Sequence, residues 1–212
     1  MSNTQNDNLK QDQDGGVHRL DRVKTLNYYN EKSDFDVWGA FKLGNEDAFN
    51  FIYREYMPAL YNYAYQKTKD RDIAREVIQT MFIKIRGKRN KLPNVQNIKA
   101  YLMKIMYRLV LDEYEKRKRR PEVIAFSQDS HFPIELSAET KMINFEITNE
   151  RKEKLETALN LLSTRQKEAV LLKYHENLSY KEIADVMGLE HVKSARKLIY
   201  RAVSSLKDFF HV

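Results

Sequence analysis

The side chains best suited to chemistry lie near the C-terminus, on the outward side of a helix predicted over about 192–210. Arg and Lys donate hydrogen bonds to guanine edges and phosphates, and Ser suits either partner. The candidates for contact with duplex DNA are His191, Lys193, Ser194, Arg196, Lys197, Tyr200 and Arg201. A basic face can also be only the solvated side of a helix that packs on a core, and that alternative stays open here.

A second set combines aromatic rings with cations in the first half of the chain. Eight of the thirteen tyrosines lie between positions 53 and 114, interleaved with lysines and arginines. Single-stranded DNA stacks its bases on aromatic rings while cations follow its backbone. Tyr101 and Tyr107 are therefore the leading candidates for stacking against unpaired bases. The alternative is that most of these tyrosines belong to the core.

A third set of candidate residues consists of two acidic side chains and one amide on a single predicted helix. Asp72, Glu76 and Gln79 follow one another at spacings of four and three residues, which places them on one side of a helix. Val77 and Ile78 belong to the apolar stripe of the same helix and face the other way. The outward patch suits the basic surface of a partner protein, or it is an ordinary solvated face.

Enzymatic chemistry finds no support in the sequence. The five histidines are scattered, and no two have the spacing of metal ligands. There is no nucleophile elbow, Walker A loop or dinucleotide fingerprint. Asp70 and Asp72 are better explained as helix caps than as metal ligands. We predict no catalytic residue, no metal site and no cofactor.

Composition narrows the class of protein further. The 212 residues include 37 Lys+Arg against 30 Asp+Glu, a net charge of +7, and no cysteine. A basic excess of this size favours a polyanionic partner. No run approaches the ~18 apolar residues of a membrane span, and the first residues do not resemble a signal peptide. We expect a cytoplasmic monomer with no membrane insertion.

Helical periodicity dominates, and no segment alternates like a strand, so the predicted fold class is all-α. Ser33 or Asp34 can cap a short first helix. Pro58 indicates either two helices meeting or one kinked helix. Asp70 or Asp72 can cap the next helix, and Asn97 is predicted to cap a long one that ends before Pro121.

Composition shifts predict two small helical domains with a tail and a linker. Residues 1–33 are polar and are predicted to be a disordered tail. Residues 34–118 form the first domain and 150–212 the second. Between them, residues 119–149 are predicted to be a flexible linker, because acidic residues dominate there and the apolar residues have no period.

The strongest local pattern is a helix-turn-helix in the second domain. Ser179-x-x-Glu182 is a capping box at the start of its first helix. Small Ala184 allows close helix approach, and Gly188 permits the tight turn. The second helix, predicted over about 192–210, then fits the major groove of DNA. The capping box, the alanine, the glycine and the basic face occur together, which favours DNA binding.

From about Asp34 to Phe210 the chain resembles the extracytoplasmic-function (ECF) class of bacterial RNA polymerase sigma factors. The resemblance is carried by four stretches in order, namely Ala40-Phe-Lys-Leu-Gly-Asn-Glu-Asp-Ala-Phe-Asn-Phe-Ile-Tyr, Asp72-Ile-Ala-Arg-Glu-Val-Ile-Gln-Thr-Met-Phe82, Ala100-Tyr-Leu-Met-Lys-Ile-Met-Tyr-Arg-Leu-Val-Leu-Asp112, and Leu162-Ser-Thr-Arg-Gln-Lys-Glu168 with the helix-turn-helix. The variant looks like the sigma factors common in the Bacteroidetes. It departs from the family at Arg86, Arg108 and Tyr101, where Trp, Asn and Trp are frequent, and at Thr80, where an acid is frequent.

The resemblance implies a role for each set of residues. The first domain, region 2, would bind core RNA polymerase and help to melt the minus-ten element, and the second, region 4, would read the minus-thirty-five element as duplex. Polymerase docking would fall on Asp72, Glu76, Gln79 and Phe82. Binding and melting of the minus-ten element would fall on Lys88, Arg89, Asn94, Asn97, Tyr101, Lys104, Tyr107 and Arg108. The implied partners are core RNA polymerase, promoter DNA and an anti-sigma factor.

Two other classes of protein are alternatives to a sigma factor. An ordinary helix-turn-helix regulator would bind duplex DNA as a dimer and without polymerase docking. A protein-interaction module would bury its basic faces against an acidic inhibitor. Polymerase binding and the mass in solution separate these classes.

Overall fold

The computed structural model describes residues 28–118 and 149–210, and every regular element in these two ranges is helical. The helices are α1 (Asp34–Lys42), α2 (Glu46–Thr68), α3 (Arg71–Gly87), α4 (Ile98–Lys118), α5 (Asn149–Leu161), α6 (Thr164–Val170), α7 (Tyr180–Val186) and α8 (Val192–Phe210). A 3₁₀ turn, Arg89–Lys91, follows α3, and a π-helical turn, Leu171–His175, extends α6. The predicted all-α class is confirmed.

The described residues form two compact units, and the predicted domain boundaries stay a prediction. Within the described residues, the first unit contains 28–56 together with Ile85–Ile98, and the second contains Met57–Lys84 together with 99–118 and 149–210. The second unit therefore includes both the middle of the first predicted domain and all described residues of the second. The predicted tail up to residue 27 and the predicted linker up to residue 148 lie outside the described residues.

In the first unit, α1 buries Val37, Trp38 and Phe41. Ser33, not Asp34, is its N-cap, because the Ser33 side chain accepts the N–H of Asp36. The folded part begins earlier than predicted. Tyr29, assigned to the tail, is buried with its ring centroid 5.7 Å from that of Phe51.

Asp34, considered above as a possible cap of α1, instead binds the start of α4 and Tyr56. Its Oδ2 accepts the first N–H of α4, from Ile98, at 2.7 Å. Its Oδ1 accepts the hydroxyl of Tyr56 at 3.1 Å. Burial of Tyr56, reinforced by this carboxylate, raises the pKa of the phenol well above its ordinary value, so the hydroxyl stays protonated and donates. Asp34, 64 positions away in the sequence, thus contributes to capping the start of α4, for which the sequence predicts Asn97 as the cap.

In the second unit, α2 continues as one helix through Pro58. Proline removes one backbone donor inside a helix, so packing has to hold the turns on either side. Leu60, Tyr63 and Ala64 are all buried on the C-terminal side of the proline and fix that part of the helix. The next helix, α3, is capped by Asp70, whose Oδ1 accepts the N–H groups of Asp72 and Ile73.

Two capping boxes organise the C-terminal helices, as predicted. Ser163 with Gln166 starts α6, and Ser179 with Glu182 starts α7. Between α7 and α8, Gly188 has φ +64°, a left-handed conformation that glycine adopts without strain. The buried side chains of α8 are Ala195, Ile199 and Ala202. The predicted helix-turn-helix is present as α7 and α8.

Candidate nucleic-acid interface

Helix α8 presents the predicted duplex-reading set on its outward side. Ala195, Ile199 and Ala202 face the core, whereas Arg196, Lys197, Tyr200 and Arg201 on the other side of the helix are exposed. Ser194 is half-buried, and the exposed members of the set are His191, Lys193, Arg196, Lys197, Tyr200 and Arg201. The structure thus places all seven residues together at the start and along one side of the helix. A protruding helix with cations, a hydroxyl and an aromatic ring fits the major groove of duplex DNA.

An aromatic ring that sequence reasoning missed lies beside this set. The Arg196 guanidinium carbon is 5.3 Å from the ring centroid of Tyr180, and Lys173 Nζ is 4.9 Å from the same centroid. Tyr180 is the first residue of α7, directly after the capping serine. The ring therefore restrains Arg196 from a second helix. The only sequence feature that could have indicated this contact is the aromatic residue that directly follows the capping Ser179.

In the first unit, the loop between α3 and α4 is held by α1 and α2. Arg89 pairs with Glu46 at 3.0 Å, and Trp38 Nε1 donates to the carbonyl of Pro93 at 2.9 Å. Lys42 Nζ donates to Asn94 Oδ1 at 2.7 Å, which leaves the Asn94 amide N–H groups as the donors for another partner. These contacts fix the backbone of the loop.

The four loop residues predicted for minus-ten binding have different exposures. Lys88 and Asn94 are exposed, whereas Arg89 and Asn97 are half-buried. Arg89 shares Glu46 with Arg86, which binds the other carboxylate oxygen at 2.8 Å. One carboxylate thus faces two guanidinium groups, so the loop keeps a net positive charge.

In the second unit, α4 positions the other four predicted residues. Arg108 is exposed, and Tyr101, Lys104 and Tyr107 are half-buried. Burial raises the pKa of Tyr101, against the opposing influence of Arg108, so its hydroxyl is a neutral donor. Lys104 Nζ contacts Asp185 Oδ1 at 2.6 Å. Burial also raises the pKa of Tyr107, and Arg165 hydrogen-bonds to its hydroxyl.

Helix α3 presents three of the four residues predicted for docking. Asp72, Glu76 and Gln79 are exposed. Phe82, the fourth predicted residue, is only 4% exposed and belongs to the buried core, so it is not part of the exposed face. At the next outward position the exposed apolar side chain is Ile83. The exposed face of α3, defined as Asp72, Glu76, Gln79 and Ile83, is thus part polar and part apolar.

None of the helices in the described ranges combines the length and apolar character that a bilayer crossing requires. Among the same residues, no three acidic or histidine side chains are grouped as metal ligands.

The fold and these surfaces define a helical DNA-binding protein, and the family follows from comparison. Residues 52–120 match the family model of sigma-70 region 2, and residues 152–206 match that of sigma-70 region 4. The chain belongs to the sigma-70 family of RNA polymerase sigma factors. It is therefore a sigma factor, a protein that directs RNA polymerase to promoters.

Two characterised relatives show how far the similarity extends. The chain is 26% identical over 147 residues to the RNA polymerase sigma factor SigV of Bacillus subtilis (strain 168), covering 69% of this chain and 81% of SigV. It is 27% identical over 164 residues to the ECF RNA polymerase sigma factor BldN of Streptomyces coelicolor, covering 77% of this chain and 60% of BldN.

Two solved structures show the same fold. One is CnrH in complex with the cytosolic domain of CnrY, with a TM-score of 0.57, 18% identity, and coverage of 85% of this chain and 98% of CnrH. The other is the sigma factor RpoE in complex with the anti-sigma factor NepR from Bartonella quintana, with a TM-score of 0.54, 21% identity, and coverage of 76% and 94%.

Proposed function

We propose that this sigma factor docks on core RNA polymerase through the exposed face of α3 and reads promoters with two separate surfaces. Helix α8 reads the minus-thirty-five element as duplex. The loop of residues 88–97 and helix α4 bind and help to melt the minus-ten element. The observation that supports this most directly is the set of six exposed side chains and the half-buried Ser194 at the start of α8 and along its outward side, in a segment that matches sigma-70 region 4.

The duplex-reading step depends on polar groups that reach the edges of base pairs. Arg196 is exposed and already restrained by Tyr180, so less side-chain freedom is lost when it binds guanine. Lys193 and Arg201, which precede and follow Arg196 on α8, are exposed cations that suit phosphates. A single recognition helix buries little surface, so the polymerase has to supply the remaining affinity.

The melting step depends on groups that bind bases only after they leave the stack. Tyr101 offers an aromatic face, and stacking of one base on such a ring contributes about 1–3 kcal/mol. Asn94 offers amide N–H donors, because Lys42 occupies its oxygen. Lys88 and Arg108 are exposed cations that suit the backbone of the separated strand. The surface therefore favours unpaired DNA over duplex.

Docking on the polymerase is testable with substitutions on the exposed face of α3. Glu76→Lys combined with Gln79→Ala should weaken binding of core polymerase about tenfold or more, because like charges across a protein interface cost several kcal/mol. Folding should be unaffected, since both side chains are exposed. Affinity is measured by fluorescence titration with core enzyme, and helicity by circular dichroism.

The matched control for docking is Glu153→Lys, an equal charge reversal at an exposed position of α5. It should bind core polymerase like the parent chain. If the α3 variant keeps both its helicity and the parent affinity, these residues do not belong to the docking site.

We further propose an anti-sigma factor as a regulatory partner, a cytoplasmic location, a monomeric free state and a non-enzymatic role. RpoE, which has the same fold, is complexed with an anti-sigma factor. The basic, partly aromatic surfaces of this chain suit an acidic inhibitor. Promoters and core polymerase are both cytoplasmic in bacteria, which supports the location.

The proposed function is tested by selecting bound sequences from a random duplex library, with and without core RNA polymerase. We expect two separated conserved elements when polymerase is present and no enrichment when the protein is alone. A single palindromic element bound tightly by a dimer without polymerase would support the alternative, a helix-turn-helix regulator that acts without docking.

A further inference from the structure

Three acidic residues between positions 168 and 185 each contact a lysine from residues 57–118, all within the second unit. Glu168 Oε1 lies 3.0 Å from Lys67 Nζ. Glu176 Oε2 lies 2.7 Å from Lys99 Nζ, and Asp185 Oδ1 lies 2.6 Å from Lys104 Nζ. We call these three acids the acidic latch. Because each pair joins residues at least 77 positions apart, the contacts belong to the tertiary structure and not to local turns.

The first contact of the latch is buried. The side chains of Lys67 and Glu168 are only 7% and 4% exposed. The hydroxyl of Tyr63 donates to the same Glu168 oxygen at 2.6 Å. Removing one partner of a buried ion pair is strongly destabilising, because the other charge is left without compensation in a medium of low polarity. This contact therefore fixes the C-terminal helices firmly against α2.

The second contact is also well made. The Glu176 side chain is 2% exposed and accepts from both Lys99 and His175 Nδ1, the latter at 2.8 Å. Lys99 donates in addition to the backbone carbonyl of Glu176 at 3.1 Å. Burial would raise the pKa of Glu176, but the hydrogen bonds from His175 and Lys99 outweigh it and hold the pKa below its ordinary value. The carboxylate is therefore charged at neutral pH.

The third contact involves the surface that the proposed function assigns to unpaired DNA. Lys104 is one of the α4 residues proposed for the minus-ten element, and its ammonium group is held by the Asp185 carboxylate. Tyr107, three residues further along α4, is hydrogen-bonded by Arg165. A carboxylate on an ammonium group offers the same charge and acceptor chemistry as a DNA phosphate.

We propose that two acids of the latch, Asp185 and Glu176, are built-in competitors of single-stranded promoter DNA for Lys104 and Lys99 of α4. This inference rests on the proposed role of α4 in minus-ten binding and adds its regulation. In the closed arrangement Asp185 and Glu176 occupy Lys104 and Lys99, so a phosphate backbone binds there only after the carboxylates leave.

The three contacts differ in how easily they open. Asp185 is 64% exposed, so its pair with Lys104 contributes little to folding. Glu168 and Glu176 are buried, and their pairs hold the helices in place. Asp185 is therefore the position at which competition can be removed while the fold stays intact.

The test uses the full chain and a fluorescein-labelled oligonucleotide of twelve thymidines, with binding followed by anisotropy at low salt. Asp185→Asn should bind the oligonucleotide about 3–5-fold more tightly than the parent chain, which corresponds to the upper range for an exposed ion pair. The matched control is Asp208→Asn, which removes the same charge from an exposed position near the end of α8. It should change the affinity by less than about twofold.

A second pair of variants separates this proposal from the function on which it rests. Lys104→Ala should weaken binding more in the Asp185→Asn background than in the parent chain, because only there is the ammonium group available to DNA. If Asp185→Asn and Asp208→Asn bind equally, or if Asp185→Asn binds like the parent, the competitor is refuted. If Lys104→Ala and Tyr101→Ala leave affinity unchanged even with Asp185→Asn, α4 is not a DNA surface and the proposed melting function fails as well. Unfolding midpoints of all variants establish that each remains folded.

Discussion

Replacing Arg196 with Ala should weaken recognition of the upstream promoter element by about 5–150-fold, which corresponds to loss of a guanine contact of 1–3 kcal/mol. Arg196 is exposed on α8 between buried Ala195 and Ile199, and Tyr180 restrains it. The loss is measured by filter binding of the reconstituted polymerase to promoter duplex. The matched control is Lys207→Ala, an exposed cation in the last turn of the same helix, which should have little effect.

The Arg196→Ala defect should depend on the template. On a template with an unpaired minus-ten region and a scrambled upstream element, Arg196→Ala and the parent chain should perform alike, because no upstream contact remains to be lost. An equal defect on both templates would mean that Arg196 does not read the upstream duplex.

Replacing Tyr101 with Ala should produce the opposite pattern. Its ring matters only once bases leave the stack, and loss of one stacked base costs about 1–3 kcal/mol. Tyr101→Ala should therefore slow promoter opening on duplex while leaving closed-complex formation nearly intact. Permanganate reactivity of unpaired thymines reports the opening step, and filter binding reports the closed complex. Tyr101→Phe keeps the ring and should behave like the parent chain.

The half-burial of Tyr101 defines the outcome that would overturn its assignment. If Tyr101→Ala lowers the unfolding midpoint sharply and Tyr101→Phe does not, the ring is a core residue. If Tyr101→Ala and Arg196→Ala fail at the same step, the division of labour between the two surfaces is wrong.

The elements that sequence reasoning predicted well are those governed by local chemistry. Capping boxes such as Ser179 with Glu182 involve residues three positions apart, so their pattern is visible in the sequence. The alternation of buried and outward positions along α8 is likewise set by helical periodicity alone. For this reason the helix-turn-helix and the outward positions of Arg196, Lys197, Tyr200 and Arg201 on α8 could be predicted from the sequence.

The features that were missed depend on contacts between distant residues. Asp34 caps α4 from 64 positions away, and Tyr63 meets Glu168 across 105 positions. Phe82 is in the core although its neighbour Ile83 is exposed, a difference that depends on which side of α3 other elements cover. Periodicity identifies the faces of a helix, but it does not identify the partner that covers each face. The acidic latch could not be predicted because each acid looks like an ordinary surface residue in the sequence.

The central claim, that this chain directs core RNA polymerase through region 2 and region 4, is tested most directly by run-off transcription from a selected promoter. With core enzyme and this protein together, we predict a transcript of one defined length, and we predict none with either component alone. The transcript should decrease with Glu76→Lys/Gln79→Ala and with Arg196→Ala, and it should persist with Glu153→Lys and Lys207→Ala. A transcript that is independent of the protein, or specific duplex protection by the protein without polymerase and without transcript, would contradict the account.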